Sequence, residues 1–400
     1  MFAKAQTAVC IIVENLSVPL DRRVWREACA LRDAGYRVSV VCPKGAGCLS
    51  ASYEVLEGIE IYRHRTFEAS TVLGYVAEYA IALLLEFILT LRVFTRTRFR
   101  ILQACNPPDT IFLIAIFLKP FGVRFIFDHH DLSPELFEAK FGQRHSLLCA
   151  VSRFLERCSF RAADVCIATN ESFKDVAVSR GGKHPSDVFV VRNCPDLTKF
   201  RAPKERTGNR FGKSFVVTYV GFMGTQDGLD LLLESIEYIL KCEGRTDTHF
   251  VLVGGGTVTA QLQSTVAQKN LEDYVTFTGQ VSHEEVASYL SDADVGVAPD
   301  PKNEMNDKST MVKIFEYMAF SLPVVLFDLK EGRNVAGSAA LYATPNDPID
   351  FARHILRLLN CKDLRLQLGT LGRDRIQERL NWDAEKTSLI AAYDAVLHLN

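Results

Sequence analysis

Neither sign of charge is in excess in this 400-residue sequence: 46 Lys and Arg stand against 48 Asp and Glu, a formal net charge of -2. The chain as a whole offers a phosphate backbone no surplus of cations, which removes the electrostatic case for a nucleic-acid partner. Its 11 cysteines include no Cys-x-x-Cys pair, so structural zinc is not expected. No basic region precedes an early leader-like cleavage site, and the cysteines therefore read as reduced thiols of a cytosolic protein rather than a disulfide framework. Low-complexity tracts and short-period repeats are missing as well. The first strand-to-helix turn, VENLSVPLDRRVW, has no Gly-x-Gly-x-x-Gly, and a nicotinamide dehydrogenase loses its main fingerprint with it.

An uninterrupted bilayer span is also lacking. Residues 73–91, LGYVAEYAIALLLEFILTL, are nearly long enough, but they include Glu78 and Glu86. Each charge near the centre of a span costs roughly 2.5 to 3.5 kcal/mol on insertion scales. Arg92, Arg96, Arg98 and Arg100 follow, then an apolar run over 111–118 that ends at Lys119-Pro120. Two readings stand here: a domain face that rests on anionic lipid, or a core helix with solvated arginines at its end.

What is present is a globular composition, 48% hydrophobic and 24% charged, at a length suited to two domains. Short apolar runs rich in β-branched residues alternate with helical patterns, the signature of βα units with parallel sheets. Strands are expected over 8–13, 38–42, 124–127, 165–168 and 188–191, then over 215–219, 250–253, 275–278, 295–298 and 324–326. Between the two sets lies RNCPDLTKFRAPKERTGNRFGK, residues 192–213, polar and basic with Pro and Gly, which fits an interdomain linker. The fold class is α/β, with two doubly wound domains over 1–195 and 196–380, and a helical run in the segment 381–400.

The stretch DKSTMVKIFEYMAFSLPVVLFD, residues 307–328, joins a helical pattern to a buried strand. Met311, Ile314, Phe315 and Met318 recur at helical spacing and pack inward, which leaves Ser309, Lys313 and Glu316 on a second stripe. With Asp307 or Ser309 as the cap, the N–H groups near Ser309 and Thr310 are open to an anion, assisted by the helix dipole and by Lys308 or Lys313. Glu316, two turns down, is placed to accept from a sugar diol. The alternative is an ordinary surface helix with a Lys313/Glu316 pair worth a few tenths of a kcal/mol.

KIFEYMAFSLPVV resembles the core of the Glu-x7-Glu motif of family 4 glycosyltransferases. Glu316 matches the second Glu, which implies a ribose contact, while Lys308 stands where the first is usual. VVTYVGFMGTQDGLDLLLESI resembles the family's donor phosphate loop, with Gly221 and Gly224 in the turn. Phe222 and Asp227 replace its usual Arg and Lys, which moves the phosphate role to Lys308 and Lys313. FVLVGGGTVTAQL, with Gly254 to Gly256 after a strand, resembles the second glycine turn. VTFTGQVSHEEVASYLSDADVGVAP resembles the segment that holds the base, at Gly279, Gln280 and Val281, and Asp294 there reads as structural.

In the first half, FDHHDLSPELFEAKF ends a strand on Asp128, His129, His130 and Asp131, with Ser133-Pro134 starting a helix. His130 resembles the histidine that many family members hold near donor sugar and acceptor. His129 reads as a loop or capping histidine, and Asp131 and Glu135 stay open between cap and catalysis. Adjacent histidines on a turn point apart, so a metal site is disfavoured. Pro19-Leu20-Asp21-Arg22-Arg23-Val24-Trp25 resembles a subgroup of bacterial enzymes that build surface polysaccharide or O-antigen, in which Arg22 or Arg23 would meet an acceptor or donor phosphate.

The resemblance covers essentially the whole chain. It implies a GT-B fold of two facing Rossmann-like domains, acceptor-side then donor-side, with the last helix crossing back. It further implies transfer with retention from a nucleotide-sugar, a UDP-sugar in the first instance, to a polyprenyl-diphosphate-linked or saccharide acceptor. No cofactor and no metal are expected, and the implied location is the cytoplasmic, inner face of a bacterial membrane, held peripherally. The contrasting readings are a GT-B sugar-nucleotide epimerase and a noncatalytic nucleotide-sugar-binding subunit.

Overall fold

The computed structural model describes residues 7–45, 47–65, 72–141, 146–197 and 208–398. The chain divides into two compact units, one of Met1–Arg192 with Glu385–Asn400, the other of Asn193–Ala384. The first break falls slightly earlier than the expected 195. Residues 208–213 are not a free linker: Gly208 and Asn209 donate backbone N–H groups to the Asp292 carboxylate. The central part of the expected linker, 198–207, lies outside the described residues.

In the first unit the elements are β1 (Ala8–Ile12), α1 (Arg22–Asp33), β2 (Arg37–Pro43), β3 (Tyr53–Leu56), β4 (Ile59–His64), α2 (Val72–Thr97) and β5 (Ile101–Cys105). Then come α3 (Phe112–Leu118), β6 (Arg124–His129), α4 (Ser133–Phe141), α5 (Ser146–Ala162), β7 (Val165–Ala168), α6 (Glu171–Ser179) and β8 (Val188–Val190). The strands form one sheet in the order β3-β4-β2-β1-β5-β6-β7-β8. All pairs are parallel except β3 with β4. The order reverses between β1 and β5, and open α/β sheets bind ligands beyond the carboxyl ends of the strands at such a reversal. Cys10, Leu102, Phe125 and Cys166 from neighbouring strands sit in one core with Ile114, Leu118 and Phe160 of the helices. Each large apolar side chain fully buried there contributes roughly 1.5 to 3 kcal/mol.

The second unit holds β9 (Phe215–Val220), α7 (Leu229–Glu237), β10 (Thr248–Val253), α8 (Thr259–Gln268), β11 (Val275–Gly279), α9 (His283–Asp292) and β12 (Val295–Ala298). It continues through α10 (Glu304–Lys308), α11 (Val312–Ala319), β13 (Val324–Phe327), α12 (Lys330–Ala336), β14 (Ala340–Ala343), α13 (Pro348–Asn360) and α14 (Lys362–Glu378). Its parallel sheet runs β11-β10-β9-β12-β13-β14, with apolar clusters on both faces and the reversal between β9 and β12. The last helix, α15 (Trp382–His398), belongs to the first unit from Glu385 onward.

The ten expected strands are present. Strands β3, β4, β5 and β14 are additional. Helix α2 packs on β1, β2 and β4 with Ala82, Glu86, Thr90 and Val93 buried, and no helix among the described residues is long and apolar enough to cross a membrane.

Candidate functional site

In the second unit three turns at the carboxyl edge of the sheet are stitched together by backbone. The chain leaves β9 through Gly221, whose N–H donates to Val253 O at 3.0 Å. Met223 N–H donates to Gly255 O at 3.1 Å, and Gly254 N–H to Gly279 O at 3.1 Å. This closeness requires glycine: a Cβ on Gly254, where φ is +125°, would lie 2.1 Å from Gly221 O, and one on Gly256 would lie 2.5 Å from Met223 O. The first and second glycine turns and the Gly279-Gln280-Val281 turn are thereby one surface. Gln280 is exposed on it and Val281 half-buried.

Gly224 plays a different part from the expected anion contact. Its N–H is taken by the Asp227 carboxylate at 2.9 Å, so Asp227 closes the turn. Asp294 is structural: its carboxylate accepts from Val216 N–H at 2.8 Å, at the start of β9.

The helix expected over 307–319 is broken. Ser309 and Met311 take extended dihedrals, so α10 ends at Lys308 and α11 starts afresh at Val312. Ser309 does not cap a following helix; its N–H donates back to Asn306 O and its hydroxyl to Met305 O. Thr310 lies in the same extended break. Asp307 accepts from Lys330 N–H instead of capping.

Lys313 is not on an outer polar stripe. It is buried, with its ammonium 2.8 Å from Asp300 Oδ1, 3.5 Å from the Tyr219 hydroxyl and 4.7 Å from the centre of that ring. Asp300 follows β12 and Gly221 follows β9, so the pair stands at the reversal of strand order. Burial opposes the charge on Lys313, but Asp300 outweighs it and raises the lysine pKa above its ordinary value. Burial likewise raises Asp227, with Lys313 pulling the other way. The Lys313 stem meets the glycine turn: Cε is 3.4 Å from where a Cβ on Gly221 would be. Glu316 is half-buried one turn farther along α11. Lys308, at the end of α10, pairs with Glu304 at 3.0 Å.

In the first unit the carboxyl edge carries a buried ionic network. Asp21 caps α1 by accepting from Val24 N–H, which sends Arg23 inward and leaves Arg22 exposed. The Arg23 guanidinium donates to Asp128 Oδ1 at 2.9 Å and to Val191 O at 2.8 Å, and lies 3.1 Å from Glu27 Oε1. Gln103, inside β5, donates to Asp128 Oδ2 at 3.0 Å and Glu27 Oε2 at 2.7 Å, and accepts from the Tyr393 hydroxyl of α15. His130 Nε2 is 2.7 Å from Asp128 Oδ2 and 2.9 Å from Arg23 Nε. A carboxylate only accepts, so the contact with Asp128 places the proton on Nε2, and the Arg23 Nε hydrogen is shared with Asp128 Oδ2 at 3.4 Å.

The electrostatics follow from burial and contact. Burial opposes an imidazolium at His130, but the Asp128 carboxylate outweighs it and raises the pKa above the usual histidine value. Burial alone would raise Asp128; Arg23 and His130 hold it well below the carboxylate range. Glu27, buried beside Asp128, is pushed up to about 7. Cys105, Asp128 and His130 bring potential ligand atoms within 4.8 Å of one another. The Arg23 guanidinium already occupies Asp128 and adds positive charge, which suits an ion-pair network better than a dication.

His129 is neither a loop nor a capping residue. It is fully buried at the end of β6 among Phe127, Phe160 and Phe173, with Nε2 3.4 Å from Glu156. Glu135 pairs with Arg180 at 2.7 Å. Asn106, which sequence reasoning missed, holds the turn: its Oδ1 accepts from His130 N–H at 2.6 Å and its Nδ2 donates to Asp131 O at 2.8 Å. The signal for Gln103 was a polar residue inside the apolar run ILQAC.

Two family profiles match the chain: "Glycosyl transferase 4-like domain" over residues 20–194 and "Glycosyl transferases group 1" over residues 214–361. The chain belongs to the family 4 glycosyltransferases. An uncharacterized glycosyltransferase of Methanocaldococcus jannaschii is 29% identical over 218 residues, 54% of this chain and 58% of that one. The chain spans between 39 and 58% of the length of this and two further curated relatives. Among solved structures, sucrose-phosphate synthase from Thermosynechococcus elongatus superposes with a TM-score of 0.74 at 17% identity, covering 98% of this chain and 99% of that one. Anabaena HepE in complex with UDP-glucose gives 0.71 at 14% identity, covering 97% and 99%. The fold of this family 4 chain is GT-B.

Proposed function

We propose that the chain transfers a sugar, with retention of configuration, from a UDP-sugar to a lipid-linked or saccharide acceptor in the building of bacterial surface polysaccharide. The observation that carries the reading is the fused surface of glycine turns with the Lys313 ammonium beside Gly221. Backbone at Gly221 and Gly254 can approach a diphosphate as no side-chain-bearing residue could. Glu316 takes the ribose diol, and the turn at Gln280 and Val281 takes the base. Solved relatives of the same fold include one that holds UDP-glucose.

The chemistry assigned to these groups is stabilisation of a departing diphosphate. Negative charge grows on the leaving group as the anomeric bond breaks, and a buried ammonium acts on it more strongly than a solvated one. Lys313 supplies that charge without a metal, with Lys308 farther out at the end of α10. In the first unit His130, held by Asp128 and Asn106, serves the acceptor, and exposed Arg22 serves an acceptor phosphate. Arg23 has its donors committed to Asp128 and Val191 and acts by holding that edge.

The protein is further proposed to sit peripherally on the cytoplasmic face of the membrane. Leu84 and Ile88 of α2, Leu113, Ile116 and Phe117 of α3, and Phe121 are exposed apolar side chains. Phe117 contacts both Phe87 and Phe121, which joins the two helices into one face, and Arg92, Arg96, Arg98 and Arg100 follow on the same chain segment.

Product analysis tests the proposal. With UDP-sugar, acceptor and a chelator present, NMR of the product should show the anomeric configuration of the donor. An inverted product, or loss of turnover on chelation, contradicts it. Recovery of an epimerised donor, or binding with no turnover, supports the epimerase or the noncatalytic subunit instead.

A further inference from the structure

A groove of about 710 Å³ runs between the β3–β4 pair and α2, within the size range of small-molecule sites. One wall is Tyr53 and Arg65; the other is a single stripe of α2 on which Ile81, Ile88, Arg92 and Arg96 succeed one another. From Ile81 to Ile88 the stripe is apolar over roughly 10 Å, and basic over the next two turns. Tyr53, Ile81 and Ile88 are exposed although large and apolar. Arg65 and Arg92 are exposed, and neither forms an ion pair among the described residues.

The order along the helix is that of an amphiphile: tail, then anionic head. We propose that this groove holds one hydrocarbon chain with its phosphate on Arg92. An apolar channel excludes a free sugar phosphate, which has no hydrocarbon to bury, and the guanidinium of Arg92 at its end selects a phosphate over a neutral alcohol. His64 lines the groove, with buried Glu86 behind it, 3.8 Å from His64 Nε2. Burial raises the Glu86 carboxyl pKa well above its ordinary value. Taking the bound chain as the acceptor's own lipid rests on the lipid-linked reading above; the binding itself does not.

The probe is farnesyl phosphate titrated into the full chain by calorimetry below its micellar concentration, with farnesol and inorganic phosphate as controls. Saturable binding of farnesyl phosphate is expected, weaker for farnesol and absent for phosphate. Ile88→Glu and Arg92→Glu change exposed side chains, so thermal unfolding should be unaltered while affinity falls roughly tenfold or more. Leu113→Glu, on α3 outside the groove, should leave this affinity unchanged. No saturable binding, or equal affinity in both groove variants, overturns the proposal. A transfer assay separates it from the acceptor reading. If only free saccharide is glycosylated while the groove still binds the probe, the lipid-linked reading fails alone. If a farnesyl-linked acceptor is used with unchanged KM in Arg92→Glu, the assignment of the groove to the acceptor's lipid fails alone.

Discussion

Arg23 and Asp128 lie 105 residues apart and close on each other through a buried hydrogen bond of 2.9 Å, beneath the turn that carries His130. Glu27 and Gln103 complete the cluster, so one guanidinium answers two carboxylates. Removing it leaves Glu27 without a cation and Asp128 with His130 alone. Arg23→Met is expected to destabilise the first unit by about 3 to 5 kcal/mol, the usual result of breaking one side of a buried ion pair. Arg22→Ala, on the exposed side of α1, should stay within about 0.5 kcal/mol of wild type. Urea unfolding of the two variants checks the contrast.

The same cluster sets a pH dependence. Asp128 raises the folded-state pKa of His130, so the imidazolium contributes stability that is fully present below the unfolded value, about 6.5. That contribution is lost as pH rises through the higher folded-state pKa. The stability advantage of wild type over His130→Gln should therefore shrink from mildly acidic to alkaline pH in urea titrations. A constant difference would contradict the ion pair.

Much of the fold was legible because apolar runs of parallel strands are buried on both faces and read directly. β5 was missed where Gln103 interrupts the pattern, and that polar residue is in the strand because Asp128 and Glu27 need its amide. β3 was missed because its side chains alternate between exposed and half-buried on the sheet edge. The glycine turns were legible, and their reason is backbone contact. The environment of Lys313 was not: helical spacing put it on an outer stripe, whereas Ser309 and Met311 break the helix and the shorter α11 turns the lysine onto Asp300. The pairing of Arg23 with Asp128 spans the unit and leaves no local pattern.

Lys313 and Lys308 should part company when neutralised. Lys313→Met removes the partner of buried Asp300 and is expected to cost about 3 to 5 kcal/mol of stability. In the fraction that remains folded, kcat should fall more than donor affinity, because the charge acts on the transition state. Lys308→Gln, which breaks a pair with exposed Glu304, should change stability by less than about 0.5 kcal/mol. Unfolding curves alongside kcat and KM for both variants decide it.

Gly254→Ala has no room. The new Cβ would meet Gly221 O at 2.1 Å, and the turns must separate to admit it. Donor affinity should collapse even where the second unit remains folded, as read by UDP titration together with circular dichroism. Retained affinity would remove the fused turns from the donor site.

Glu316→Ala should leave the fold intact and weaken the donor by roughly ten- to a hundredfold, the loss of one charge-assisted contact of about 1.5 to 3 kcal/mol. Calorimetry with UDP and with uridine separates the ribose contact from the diphosphate: both ligands should lose affinity by the same factor.

The central claim is sugar transfer driven by departure of a nucleoside diphosphate, and release of UDP on addition of acceptor tests it most directly. With UDP-sugar alone the account predicts a slow background; with a polyprenyl-diphosphate-linked or saccharide acceptor it predicts a rise in UDP matched mole for mole by glycosylated acceptor. UDP release at the same rate with and without acceptor, or none at all with a bound UDP-sugar, would contradict it.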